Sequence, residues 1–136
     1  MEIRRYREDD RASLFALLVE EGDEWSEYHG ASGRDRYARA LASSTTYVAC
    51  DGSAVCGYVR CRGDDGFGVY VHDLLVRPSR RGQGLGRALL ERVREDAAGE
   101  PVYVMSDVDP YYEGMGYRRE GSIFVVRATG DVPETR

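Results

Sequence analysis

The sequence predicts an α/β fold with one domain, because strand and helix patterns alternate along its 136 residues. A hairpin is the strongest strand signal, since the turn residues Asp51 and Gly52 separate two β-branched, apolar segments. The strongest helix signal is an apolar face with a spacing of four residues, formed by Leu85, Leu89, Val93 and Ala97. We expect the domain to span residues 1–128 and residues 129–136 to form a disordered tail.

The elements up to the hairpin are a strand, two helices and the paired strands. Polar and apolar residues alternate over residues 2–7, which predicts an edge strand. The helix that follows ends near Glu21, and Asp9 or Asp10 is in position to cap its start. A polar loop leads to a second helix over residues 34–42. The hairpin strands then occupy residues 45–50 and 55–62.

The elements after the hairpin alternate between strand and helix. A long strand over residues 67–76 runs into a glycine-rich segment and the helix with the apolar face. A short strand follows at 102–105, Asp109 and Pro110 open a short helix, and residues 117–128 form one or two final strands. The predicted order is therefore β-α-α-β-β-β-α-β-α-β.

Composition excludes several classes of function. The net charge of −5 and the pI near 5.1 disfavour a nucleic-acid binder. All 19 basic residues are arginine, which rules out a Schiff-base lysine and a Walker-type lysine. Three cysteines without CxxC spacing indicate buried reduced thiols, so we expect neither disulfides nor a metal site. Without a long apolar run or a hydrophobic N-terminus, we expect no membrane contact and a cytoplasmic protein.

Residues 71–90, VHDLLVRPSRRGQGLGRALL, have the features of a phosphate site. Glycines in this run allow the backbone to turn tightly and to bring its N–H groups close to an anion. The helix that starts near Gly84 adds unpaired N–H donors and the positive end of its dipole. Fixed positive charge comes from Arg77, Arg80, Arg81 and Arg87. The segment therefore predicts a polyphosphate ligand.

Three polyphosphate motifs compete for this segment. A Walker loop fails because GK[ST] is missing, and a dinucleotide fingerprint fails because the glycine spacing is GxGxG and two hairpin strands precede it. The segment resembles the acetyl-CoA-binding motif of the GNAT superfamily of N-acetyltransferases. The residues that carry this resemblance are Arg81, Gly82, Gln83, Gly84, Leu85 and Gly86.

A second match lies at PYYEGMGY, residues 110–117, which is similar to the FYEKLGF-type signature of the same family. The resemblance implies a GNAT fold, that is, a mixed, mostly antiparallel central sheet flanked by helices and splayed at its central strands. It gives Tyr112 the role of protonating the departing CoA thiolate, although Tyr112 could also be a packing residue. The stretch SDVDPY before Tyr112 is shorter than the family's usual loop, with Ser106 and Asp107 where an asparagine often contacts the cofactor.

The resemblance also implies how acetyl-CoA is held. The pyrophosphate binds Arg81 and the backbone amides from Gly82 to Arg87. The backbone of the strand end faces the thioester and the pantetheine arm, through Leu74, Leu75 and Val76. No metal takes part.

The strand at residues 70–76, YVHDLLV, looks like the YLEDxxV strand of diamine and polyamine acetyltransferases. An imidazole near pKa 6.5 can take a proton from the attacking ammonium directly or through water, so we rank His72 above Asp73 as the proton acceptor. Strand alternation puts Tyr70, His72 and Leu74 on one face and Asp73 on the other, unless a bulge re-aims one of them. The alternative is that His72 is an ordinary half-buried strand residue.

The acidic loop after the first helix is a candidate wall of the acceptor pocket. Carboxylates and an aromatic face suit a cationic amine, and the candidates are Glu21, Glu24 and Trp25, with Tyr70 from the strand. The alternative is a solvated acidic surface. The resemblance thus implies an acetyl-CoA-dependent N-acetyltransferase that acts in a ternary complex on a small-molecule or peptide amine, and the acidic loop favours a small cationic or polyamine-like acceptor. The rival is an acetyl-CoA-binding regulatory module without turnover, and pairing of two chains as a homodimer stays open.

Overall fold

A computed structural model describes residues 1–128 and 130 of the chain. Its residues form two compact units, one from Met1 to Met105 and one that begins at Ser106. The first unit contains a five-stranded sheet, four α-helices and three short 3-10 helices, and the described part of the second contains one short α-helix. The prediction of a single domain over residues 1–128 stays a prediction, and residues 129 and 131–136 of the predicted tail lie outside the described residues.

The sheet of the first unit is mixed and mostly antiparallel, as the sequence predicts. Its strands lie in the order β1-β2-β3-β4-β5, and only β4 and β5 run parallel. Their bounds are Glu2–Arg5 (β1), Thr45–Asp51 (β2), Ala54–Gly63 (β3), Val69–Val76 (β4) and Val102–Val104 (β5). The hairpin turn at Asp51 and Gly52 is confirmed between β2 and β3.

Helices flank this sheet. Their bounds are Arg11–Glu21 (α1), Ser26–His29 (α2), Arg34–Ser43 (α3) and Leu85–Asp96 (α4), with Asp109–Gly114 (α5) in the second unit. Apolar residues of α1 and α3 join those of β2 to β4 in one buried cluster, which includes Phe15, Leu41 and Tyr58. The predicted face of α4 is confirmed at Leu89 and Val93, both fully buried. The single turn α2 escaped prediction because it is too short to show periodicity.

A bulge interrupts β4 in the middle of the sheet. On β3, the adjacent residues Arg60 and Cys61 pair with Asp73 and Val71, so His72 has no partner in the register. Because adjacent β3 residues point to opposite faces, Asp73 and Val71 do as well. The bulge that the prediction named as its exception is therefore present, and simple alternation does not hold in β4. Tyr70, opposite Arg62, shares the face of Asp73, and Leu74, opposite Val59, lies on the other face.

The predicted strands at residues 117–128 are not found. This segment has no regular secondary structure, and its apolar residues Ile123, Phe124, Val125 and Val126 are between 65% and 95% exposed. A β-branched sequence has the propensity for a strand, but a strand also needs a hydrogen-bonded neighbour. The sequence pattern shows the propensity alone, and propensity does not decide whether a strand forms.

The predicted cap of α1 is also wrong, although the helix begins where expected. Asp10 precedes Arg11, yet its carboxylate makes no cap hydrogen bond with the helix. It accepts two hydrogen bonds of 2.8 Å from the Arg4 guanidinium and one of 2.8 Å from the Arg7 backbone N–H. A bidentate arginine is the stronger partner, so the aspartate ties β1 to the start of the helix instead.

The three cysteines, Cys50, Cys56 and Cys61, are buried free thiols, in agreement with the sequence. Within residues 1–128 and 130, we find no helix with the length and apolar content that crossing a membrane requires.

Candidate active site

The parallel strands β4 and β5 pair only at their beginnings. Val69, Tyr70 and Val71 face the three residues of β5, and the Met105 N–H donates to the Val71 carbonyl at 3.1 Å. Beyond Val71, the β4 register continues with β3 alone among the described residues. The edge of β4 from His72 to Val76 is therefore open, and the opening begins at the bulge.

The glycine-rich segment follows this open edge directly. Gly82 and Gly84 both have φ +78°, a left-handed conformation that favours glycine, and a Cβ placed on either would meet no atom within 4 Å. Gly84 immediately precedes α4, whose first turn leaves backbone N–H groups without helical partners. The backbone here forms an open cradle at the positive end of a helix dipole, and the binding of an anion to it stays a prediction.

Arg81 is held beside this cradle by two different groups. Its Nε donates to the Val76 carbonyl at 2.9 Å, and its Nη2 lies 2.7 Å from Glu21 Oε1 at the end of α1. The second arginine of the loop, Arg77, has its Nε 3.6 Å from Glu20 Oε2. Arg80 forms an ion pair with Asp51 on β2. The structure thus places Glu21, predicted in the acceptor pocket, against the arginine predicted to hold pyrophosphate.

Asp73 is the centre of a buried polar network. Its side chain is 4% exposed, and its carboxylate accepts hydrogen bonds from Tyr28 at 2.9 Å, from Tyr37 at 2.7 Å and from Arg60 Nε at 2.6 Å. The Tyr37 and Tyr58 hydroxyl groups lie 2.7 Å apart. Three donors occupy most of the lone-pair positions of this buried carboxylate, which disfavours Asp73 as the group that contacts the acceptor amine.

The tyrosines of this network are all protonated at neutral pH. Burial is the main cause that raises their pKa values, and the negative charge of Asp73 adds to it. The pKa of Tyr28 rises to about 12, and those of Tyr37 and Tyr58 rise further. Each hydroxyl therefore stays a hydrogen-bond donor, and the network links α2, α3, β3 and β4 at the level of the bulge.

An aromatic wall covers the network on the side of the acidic loop. The Tyr28 and Tyr37 rings are stacked with centroids 4.0 Å apart, and the Trp25 ring lies 5.8 Å from Tyr28 and 6.5 Å from Tyr58. Glu24 is exposed next to Trp25. Of the residues predicted for the acceptor pocket, Trp25 and Glu24 thus lie together on this loop, whereas Tyr70 stacks on Tyr103 of β5 at 5.3 Å.

His72, at the bulge, is half-buried and stays neutral over a wide pH range. Burial lowers its pKa below the ordinary value of 6.5, and the positive charges of Arg60 and Arg62 lower it further against the opposing effect of Asp73. A neutral imidazole at neutral pH has a free lone pair, so His72 has the protonation state that a general base requires.

Tyr112 lies on α5, in the second unit. Its ring meets that of Tyr111 edge to face at 5.1 Å, and the Tyr117 N–H donates to its carbonyl at 3.2 Å. Burial raises the pKa of Tyr112 to about 12, with smaller contributions from Tyr111 and Asp107. The phenol is therefore protonated at neutral pH and able to donate.

Sequence reasoning missed the partners of Asp73. One signal was present: Arg60 is a charged residue inside the otherwise apolar strand AVCGYVRC, and such a residue needs a buried counter-ion. Tyr28 and Tyr37 gave no such signal, because their sequence distance from Asp73 hides the contact. Among the described residues, no group of three or more His, Cys, Asp or Glu side chains could hold a metal ion.

The chain is similar in sequence to two named acetyltransferases. The chain is 40% identical over 83 residues to a mycothiol acetyltransferase of Geodermatophilus obscurus, a match that covers 60% of this chain and 24% of the relative. It is 33% identical over 93 residues to the chloroplastic serotonin N-acetyltransferase 2 of Oryza sativa subsp. japonica, which covers 61% of this chain and 46% of that relative. The chain thus spans less than half the length of either relative.

Solved structures share the fold over nearly the whole chain. A GNAT-family acetyltransferase from Streptococcus pneumoniae has a TM-score of 0.69 at 24% identity, covering 93% of this chain and 98% of that chain. An acetyltransferase from Trypanosoma brucei has a TM-score of 0.64 at 26% identity, covering 93% and 99%. The family model described as an acetyltransferase (GNAT) domain matches residues 42–119, from the end of α3 through α5. Since this match spans more than half of the chain, the chain belongs to the GNAT family of acetyltransferases.

Proposed function

We propose that the chain transfers an acetyl group from acetyl-CoA to a primary amine. The observation that carries this proposal is the open edge of β4, which begins at His72 and leads directly into the glycine cradle at the start of α4. The glycine cradle suits a pyrophosphate, and His72, at the other end of the open edge, is a neutral base. The proposal predicts that CoA thiol is released only when an amine is supplied. The buried free cysteine thiols of the chain also fit an enzyme that works in the reducing cytoplasm.

The residues of the cradle suit the polyphosphate part of acetyl-CoA. Arg81 would pair with a phosphate, and the backbone N–H groups from Gly82 into the first turn of α4 would donate to its oxygens. The pantetheine amides would pair with the open β4 edge at Leu74 and Val76, in the manner of an added strand. This mode of binding depends on backbone geometry more than on side chains.

Gly84→Ala is expected to weaken acetyl-CoA binding about tenfold, because a Cβ at φ +78° strains the turn and projects into the open cradle. Isothermal titration calorimetry measures this change in Kd. Gly52→Ala is the matched control, since Gly52 has φ +64° in the hairpin turn and also meets no atom within 4 Å. The control should lose some stability and keep its affinity. Equal Kd values for the two variants would remove the cradle from the cofactor site.

The chemistry that we propose is direct attack within a ternary complex. His72 takes a proton from the acceptor ammonium, directly or through water, and the amine nitrogen then forms a bond with the acetyl carbon. The bond from carbon to sulfur breaks, and Tyr112 donates its proton to the CoA thiolate. The nitrogen loses its second proton as the amide forms, and this proton returns through solvent to the Tyr112 oxygen. No covalent enzyme intermediate forms, so no cysteine or serine nucleophile is required.

The pH profile of the reaction tests the role of His72. Since a base must be deprotonated, kcat/KM should rise with pH through the pKa of His72, and burial places this inflection below 6.5. In His72→Gln, this inflection should disappear, while the separate rise from the acceptor amine, at higher pH, remains. An identical profile in the variant would assign the proton transfer to another group.

We propose a small cationic amine as the preferred acceptor. The exposed Glu24 precedes Trp25 on the acidic loop, and a carboxylate and an aromatic ring suit ion pairing and cation–π contact with a second positive charge. One relative is named for serotonin, so an arylalkylamine belongs in the same test panel as the diamines. A preference of kcat/KM for diamines over alkyl monoamines, which lack the second positive charge, is the expected result, and this preference should be lost in Glu24→Gln.

A further inference from the structure

We infer that the Glu21 carboxylate occupies Arg81 as an internal stand-in for the CoA pyrophosphate. Cofactor binding then exchanges one anion for another on the same guanidinium. This inference rests on the proposed function, because it assumes that Arg81 binds the pyrophosphate. It assigns to the end of α1 control over cofactor affinity, in place of the acceptor contact predicted for Glu21.

The geometry of Arg81 fits a replaceable partner. Its Nη2 is 2.7 Å from Glu21 Oε1, whereas its Nε donates to the Val76 carbonyl at 2.9 Å. The backbone contact alone keeps the guanidinium beside the glycine cradle when the carboxylate leaves. The Arg81 side chain is 49% exposed and that of Glu21 is 15% exposed, so a ligand has access to the arginine from solvent.

The position of Glu21 leaves part of the hydrogen-bonding capacity of its carboxylate unused. Its Oε2 is buried and has no hydrogen-bond partner in the described part of the chain, so half of the carboxylate is desolvated without compensation. Glu21 also ends α1, where the negative end of the helix dipole disfavours a carboxylate, and the last turn has no basic residue. The helix dipole and the desolvation of Oε2 therefore both disfavour a carboxylate here, and the ion pair with Arg81 offsets these two unfavourable effects.

The adjacent acid repeats the arrangement. Glu20 Oε2 lies 3.6 Å from Arg77 Nε, so two consecutive carboxylates at the end of α1 meet two arginines of the phosphate segment. The Arg77 Nε is buried and has no hydrogen-bond partner among the described residues. This longer and weaker contact makes Glu21 the main competitor. When a pyrophosphate binds Arg81, the end of α1 and the Trp25 loop that follows it lose this anchor.

Glu21→Gln tests the exchange directly, with CoA as the probe and calorimetry as the measurement. The amide has the same shape and no charge, so removal of the competing anion should tighten CoA binding about threefold to fivefold. Glu2→Gln is the matched control because it makes the same charge change on β1, at the other edge of the sheet from β4 and β5. Its Kd for CoA should equal that of the wild type.

Pantetheine, which lacks the phosphates, is the second probe. Glu21→Gln and the wild type should bind pantetheine equally, because this ligand has no phosphate that could replace the Glu21 carboxylate on Arg81. An unchanged or weaker CoA affinity in Glu21→Gln would show that the carboxylate only positions Arg81 and would overturn the inference. Equal tightening for pantetheine and CoA would overturn it as well, since the effect would not pass through the pyrophosphate. A wild type that fails to bind CoA contradicts the proposed function itself.

Discussion

Replacement of Tyr112 by phenylalanine is expected to lower kcat about 100-fold while the Kd for acetyl-CoA stays unchanged. The phenol has a pKa raised to about 12 by burial, so it is protonated throughout the physiological range. It can therefore donate to a thiolate whose conjugate thiol has a pKa of about 8.5. Phenylalanine keeps the ring and removes only the donor. Steady-state rates of thiol release, together with calorimetric titration of acetyl-CoA, measure the two quantities.

Tyr111→Phe is the matched control, because Tyr111 is the adjacent tyrosine on α5 and packs edge to face on Tyr112. It should keep its turnover number. If Tyr112→Phe and Tyr111→Phe both retain the wild-type rate, Tyr112 has no part in protonation of sulfur, and its position in PYYEGMGY reflects packing alone.

Replacement of Asp73 by alanine is expected to destabilise the first unit by about 3–5 kcal/mol. The change removes the acceptor for Arg60, Tyr28 and Tyr37 together and leaves the Arg60 charge without its counter-ion. Since a whole domain is stable by only about 5–15 kcal/mol, this loss is a large fraction of the total. Urea denaturation followed by circular dichroism measures it as a lower midpoint.

Asp35→Ala is the control for that measurement. Asp35 is also paired with an arginine, Arg11, at 3.5 Å, but its side chain is 88% exposed and the pair lies in water. Its midpoint should stay close to that of the wild type. Equal midpoints for Asp73→Ala and Asp35→Ala would mean that the buried network contributes no more than a surface pair.

The features that the sequence predicts well are those encoded by neighbouring residues. The hairpin depends on the adjacent turn residues Asp51 and Gly52, and the phosphate cradle depends on glycines two positions apart at the start of an apolar helix. The hairpin turn and the left-handed glycines appear in the structure at the predicted positions, and the binding of a phosphate there stays a prediction. The apolar face of α4 is confirmed for the same reason, because its period of four residues lies within a single element.

The features that the sequence does not predict are set by contacts between distant segments. Asp73 and Tyr28 are 45 residues apart, and Glu21 and Arg81 are 60 residues apart, so no local pattern marks either contact. The bulge at His72 is a property of how β3 and β4 register against each other. Residues 117–128 show the converse, since their strand propensity is not accompanied by regular secondary structure.

The measurement that tests the central claim most directly is the release of CoA thiol from acetyl-CoA in the presence of a panel of amines. The panel contains diamines, arylalkylamines, amino acids and basic peptides, and calorimetry on the same sample reports acetyl-CoA binding. We expect binding in the absence of amine and thiol release that requires at least one of these acceptors. Tight binding without amine-dependent release from any of them would contradict an acetyltransferase and identify an acetyl-CoA-binding module without turnover.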